Sequence, residues 1–186
     1  MIRILKNRRA LSTVITTLII LVVSVLLASV VAYYATNLVS TRVQEESLYV
    51  SKQHVWVNSE GVAEASVMVT NNGGRDVVIS KVSTRGQTSE WTSVFYEVAD
   101  PESDDLTVDL QYIPAPITSA SDLGLAATAT EAARNLVLPS GSTMVIYVNS
   151  PDSIGITDIG LTVSIALHTA NAVYYSETNI QAITGT

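Results

Sequence analysis

A chain of 186 residues, 47% of them hydrophobic and with a formal net charge of −7, has room for one modest domain plus one further element. It contains no cysteine, which excludes disulfides and thiolate-metal sites. Seventeen acidic residues against ten basic ones argue against nucleic-acid binding, which needs clustered Lys and Arg.

The first element is a short basic leader. Arg3, Lys6, Arg8 and Arg9 hold four of the ten basic residues, and without residues 1–10 six basic face seventeen acidic, a net charge of −11. Directly after it comes LSTVITTLIILVVSVLLASVVAYYATNLVS, Leu11 to Ser40, with no charge between Arg9 and Arg42 and neither Gly nor Pro. Since about 20 apolar residues span a hydrocarbon layer, the run predicts an uninterrupted membrane-length helix. Charge asymmetry places the leader in the cytoplasm and everything after Thr41 outside.

Small residues recur every fourth position in that helix, at Ser24, Ala28, Ala32, Thr36 and Ser40. That spacing forms one ridge along which another backbone approaches closely, while Leu18, Leu21, Val22, Val25, Leu26 and Val30 supply large side chains on the other faces. Thr13, Thr16 and Thr17 are expected to return their hydroxyl bonds to the helix backbone. Tyr33-Tyr34 suit the outer membrane–water boundary. Beyond Ser40 a thin apolar stripe of Val39, Val43 and Val50 predicts that the helix continues to about Lys52, some 42 residues and roughly 63 Å at ~1.5 Å each.

The order of charge, small residue and apolar run reverses an ordinary secretory signal, whose cleavage site follows the apolar core. RRA followed by LSTVITTLIILVVSVLLASVVAYYATN resembles the class III signal peptide of archaeal type IV pilins, which archaellins of the archaeal swimming filament share. The resemblance covers roughly residues 6 to 50. It implies cleavage by a prepilin peptidase between Ala10 and Leu11, with Arg8 and Arg9 in the recognised flank. It further implies extraction from the membrane by an assembly ATPase and its platform, into a helical polymer of identical subunits. Ile15 stands where bacterial type IV pilins carry a glutamate, and the helix-breaking proline of many bacterial pilins is absent; both fit the archaeal branch. Archaellins often show Gly around the cleavage point, whereas Ala10 and Leu11-Ser12 stand here, which favours a pilin.

At His54 the period becomes two: Val55 and Val57 alternate with His54, Trp56 and Asn58. Further strands are expected at 63–70, 76–83, 92–98, 106–113, 135–138, 143–149, 160–168 and 172–178. Asn71-Asn72-Gly73-Gly74, Arg85-Gly86, Pro139-Ser140-Gly141 and Thr169-Ala170-Asn171 separate them as turn formers. Short strands so punctuated predict an antiparallel sandwich. VMVTNNGGRDVVISKV and LPSGSTMVIYV resemble strand-turn-strand phrases of archaeal pilin and archaellin heads. Residues 119–134, rich in Ala and Thr, form either a short helix capped by Asp122 or an exposed loop. The expected fold is α+β: leader 1–10, assembly helix 11–53, and an immunoglobulin-like β-sandwich head over 54–186.

Candidate chemistry is sparse. The acidic residues Glu97, Asp100, Glu102, Asp104, Asp105 and Asp109 invite a calcium ion, but the EF-hand spacing fails and a solvated acidic loop is the simpler expectation. His54 and His168 lack metal-ligand spacing and are expected to satisfy local hydrogen bonds. There is no GxSxG elbow, and Asn72-Gly73-Gly74 precedes a strand, so it is no phosphate loop. Trp56 and Trp91 are expected in the core or on a sheet face. No Asn-x-Ser/Thr sequon occurs. No residue set carries catalysis, and no metal or cofactor is expected. The expected function is a pilin of an archaeal type IV-like surface filament with its head exposed for adhesion. Archaellin is the nearest alternative, and an uncleaved, signal-anchored surface protein with a sugar- or protein-binding head is the more distant one.

Overall fold

The computed structural model describes residues 5–43, 45–99, 106–113, 117 and 130–183. It divides into two compact units, Met1–Gln44 and Glu45–Thr186. The first is one helix, α1 (Leu5–Val43), of 39 residues. Its length follows from sequence, because no Gly or Pro removes a backbone bond or frees the chain. It stops about ten residues earlier than the apolar stripe predicted. Residues 48–57 form a strand instead, in which Leu48 and Val50 face the core of the second unit.

Among its described residues the second unit holds ten strands: β1 (Leu48–Val57), β2 (Ala63–Asn71), β3 (Val77–Thr84), β4 (Gln87–Thr88), β5 (Val94–Ala99), β6 (Thr130–Glu131), β7 (Leu136–Leu138), β8 (Thr143–Asn149), β9 (Thr162–Thr169) and β10 (Val173–Ala182). They form a ten-stranded sheet in the order β4-β3-β9-β10-β1-β2-β8-β5-β6, with β7 also on β3. All pairs are antiparallel except β1 with β10.

An antiparallel, immunoglobulin-like sandwich was the expectation; hydrogen bonding joins both halves into one curled, half-barrel sheet. The joint is β10. Its residues 173–179 pair with β9, and Ile180, Gln181 and Ala182 then pair with Val55, Trp56 and Val57 of β1. Curling brings Val55, Val67, Val69, Ile146 and Met144 from one half into a common core with Ile79, Leu138, Ile165 and Leu167 from the other. Burying each such side chain contributes about 1.5–3 kcal/mol.

Two of the expected strand-turn-strand phrases are present but are not hairpins. β2 pairs with β1 and β8, whereas β3 pairs with β4, β7 and β9, so Asn71-Asn72-Gly73-Gly74 arches from one half of the sheet to the other. Pro139-Ser140-Gly141 does the same between β7 and β8. The arches lock together through Asn71, which is fully buried. Its backbone accepts the Gly141 N–H at 2.9 Å, and its amide donates to the carbonyls of Arg75 and Leu138 at 2.8 and 3.1 Å. By contrast Arg85-Gly86 and Thr169-Ala170-Asn171 do close hairpins, β3–β4 and β9–β10.

Candidate functional site

Two regions of the chain carry features of interest, one on each unit. On α1, every described residue from Leu11 to Thr41 is exposed, and this stretch is long and apolar enough to cross a membrane. Ser24, Ala28, Ala32, Thr36 and Ser40 lie on unbroken helix, so their spacing does set them along one ridge. Two of the ridge hydroxyls bond back to the helix itself. Ser24 donates to the Ile20 carbonyl at 2.7 Å, and Thr36 to those of Ala32 and Tyr33 at 3.0 and 2.9 Å. Thr16 and Thr17 bond back in the same way, to Ser12 and Val14. Tyr33 and Tyr34 are exposed on the helix. The backbone is helical through Arg8, Arg9, Ala10 and Leu11; the side chains of residues 5–10 lie outside the described residues.

On the head, the outer face of the sheet carries a second apolar cluster. Strands β2 and β8 are buried on both faces, because residues 106–113 and Ile117 lie across them. Leu110, Ile113 and Ile117 pack there against Trp56, Met68, Val145 and Tyr147. Residues 106–113 were expected as a strand. They form no strand pairing and instead make an irregular strap, held by side chains from the sheet beneath.

Those anchors are set by register. Between Ser51 and His54 a bulge interrupts β1, with Lys52 in the left-handed region at φ 50°. The bulge reverses which alternate residues face out, so Leu48 and Val50 face the core before it, and His54 and Trp56 the outer face after it. Lys52 Nζ donates to the carbonyls of Leu106 and Val108. His54 Nε2 sits 2.9 Å from Asp109 Oδ1, and its ring stacks on Trp56 with centroids 5.0 Å apart. Tyr112 meets Trp56 edge-on at 6.2 Å. Tyr147 donates its phenol to the Gln111 carbonyl at 2.9 Å, and Glu64 Oε1 accepts the Ile113 N–H at 3.0 Å.

Electrostatics differ sharply within this small area. The hydrogen bond from His54 holds the exposed Asp109 carboxyl below its ordinary value, helped by the His54 charge and the Leu110 N–H. Burial pushes the Glu64 carboxyl the other way, up to about 8, with the Ile113 N–H offsetting part of the rise. Burial and the neighbouring Glu64 charge likewise raise the Tyr147 phenol.

Glu97 departs from the solvated acidic loop expected for this run. Glu97 is buried on β5, and Asp109 belongs to the strap; Asp100, Glu102, Asp104 and Asp105 lie outside the described residues. Among the described residues no group of three His, Asp or Glu side chains is placed to hold a metal ion. The histidines do lie on strands with local partners, His168 Nε2 being 3.2 Å from Ser83 Oγ. Trp56 is buried in the outer cluster, and Trp91, on a short 3-10 turn (Trp91–Ser93), packs against the main core. Lys52, Glu64 and Tyr147 escaped sequence reasoning. An acid amid AEASVMV on a predicted strand was the one available signal for Glu64.

Helix and head together define an α+β chain with an apolar helix of membrane-spanning length ahead of a large, mostly antiparallel sheet domain. No family model matches its sequence, and no curated protein does. Among solved structures, the apo PmoF2 PCuAC domain overlaps it with a TM-score of 0.43 at 12% identity, over 74% of this chain and 94% of that one, too loosely to assign a fold or an activity.

Proposed function

We propose that the chain is a structural subunit of an archaeal type IV-like surface filament, polymerising through α1 with the head displayed for adhesion. One observation carries this reading: the head completes its core from its own strands, while α1 leaves Leu18, Leu21, Val25, Leu26 and Val30 all more than half exposed. Such a helix is stable only in lipid or among other helices. In lipid its apolar faces gain little by meeting, so association rests on close packing along the ridge of Ser24, Ala28, Ala32, Thr36 and Ser40. Outside lipid, separating packed helices exposes apolar surface at ~25 cal/mol per Å², which makes loss of a subunit costly. The basic flank at Arg8-Arg9-Ala10 supports processing before Leu11 by a prepilin peptidase, and assembly by an ATPase and membrane platform rests on the same resemblance.

N-terminal sequencing of the native protein, together with negative-stain microscopy of sheared surface filaments, tests the reading. Leu11 as first residue and a filament containing this chain are the expected results. Met1 retained on a monomer in the bilayer overturns it in favour of an anchored surface protein. A filament that rotates assigns the subunit to the archaellum instead.

A further inference from the structure

The feature that filament assembly leaves unused is the carboxyl beneath the strap. Glu64 is 1% exposed and, among the described residues, has no ion-pair partner. Its Oε1 accepts the Ile113 N–H, whereas its Oε2 is buried with no hydrogen-bond partner. Stripped of water and without a cation, an ionised carboxylate is strongly disfavoured there, so the neutral acid is the form these surroundings hold.

The titratable and charged groups on the same face are few among the described residues. β1 contributes Tyr49, Lys52 and His54, β8 contributes Tyr147, β5 contributes Glu97, β6 contributes Glu131, and the strap contributes Asp109 and Tyr112. Of these, Lys52 and His54 are committed to the strap's carbonyls and to Asp109. Neither compensates a charge on Glu64. Cross-strand neighbours do not help: Glu64 stands opposite Trp56 on β1 and Asn149 on β8.

We propose that Glu64 is a proton-operated latch: as the neutral acid it holds residues 106–113 against the sheet, and on ionising it releases them and uncovers Trp56, Met68 and Tyr147. The strap is the element that yields because it shares no ladder hydrogen bonds with the sheet, whereas β2 is paired along its whole length on both sides. A newly formed charge regains water by lifting the irregular segment, not by breaking strand pairing. The sign is fixed: the proton leaves as pH rises, so the latch opens on the alkaline side. The uncovered surface is aromatic and apolar.

Trp56 reports the event directly. In the full chain in detergent micelles, with Trp91→Phe removing the other indole, acrylamide quenching is measured from pH 6 to 9.5. Quenching should rise several-fold with a midpoint near 8, while far-UV circular dichroism holds. Glu64→Gln retains an oxygen for the Ile113 N–H and never ionises, so its quenching should stay low throughout. A flat profile in the chain with Glu64 intact overturns the latch, as does an unchanged transition in Glu64→Gln. Should Glu64→Gln fail to fold, hydrogen exchange of the otherwise unaltered chain decides, after correction for base catalysis. Protection lost over 106–113 and kept in β2 and β8 supports the latch; loss throughout the head at the same pH overturns it.

Discussion

The two units handle apolar side chains in opposite ways. The head draws Ile79, Leu136, Leu138, Met144, Ile146 and Leu167 inward until each is essentially inaccessible, whereas α1 leaves Leu11, Leu18, Leu27 and Val30 open. A head stabilised by its own core is a self-sufficient object; a helix with nothing covering it takes its stability from surroundings outside the chain. The contrast also separates what a mutation does. In the head a lost methylene lowers folding stability, while in α1 it changes only what the helix associates with.

The largest expected effect comes from charging the helix. Val25→Asp places a carboxylate midway along the apolar run, at a cost of about 2.5–3.5 kcal/mol if that point sits at the bilayer centre. On the proposed function, membrane fractionation and filament yield should collapse, roughly a hundredfold, while thermal melting of the head stays unchanged. Filaments surviving this change would overturn the proposed role of α1. Ala28→Leu is a milder change: under the proposed assembly the chain should still insert in the membrane but form few filaments, because a large side chain on the ridge keeps a neighbouring backbone away.

Next in size is Leu167→Ala in the head, expected to lower its stability by about 2–5 kcal/mol through the cavity it leaves, read as a lower denaturant midpoint. Membrane partition of the chain should not change. Smaller again is Gly73→Ala. A Cβ there would lie 2.7 Å from the Glu45 carbonyl oxygen and 2.9 Å from the Ser47 nitrogen, both backbone atoms, so the first arch must shift. A loss of about 1–3 kcal/mol is expected, seen as a lower melting temperature.

The smallest effect concerns the exposed pin of the strap. Asp109→Asn should cost no more than about 1 kcal/mol, as for other exposed ion pairs. Its pH dependence has a definite sign. The folded Asp109 carboxyl lies below its ordinary 3.8, so its contribution is present above that value and is lost as pH falls through the lower, folded one. Acid titration of strap protection in the parent and in Asp109→Asn should differ only there.

Much of the molecule is legible residue by residue. The run from Leu11 to Ser40 announces its helix because the backbone bonds of a helix close within four residues, and nothing in the run interrupts them. β2 and β9 are recognisable from alternation, β8 from its continuous apolar run, and all three from the turn formers beside them. The end of α1 is not. Val39, Val43 and Val50 fit a helical stripe as well as Val50 fits a strand, and the decision rests on Leu48 and Val50 finding a core made by distant strands. The strap eludes sequence reasoning for the same reason: LTVDLQYI has strand composition, but strand edges beside it are already paired, so it lies across the sheet face.

The amino-acid order alone carried an apolar rod behind a basic flank, most of the strands, and the turns between them. Tertiary structure decided which strands meet. It made arches of residues 71–74 and 139–141, used β10 to fuse two half-sheets into one, and placed Glu64 under a strap some fifty residues away. The physical reason is that a strand satisfies its hydrogen bonds with a partner remote in sequence, and the burial of any side chain on it is set by that choice.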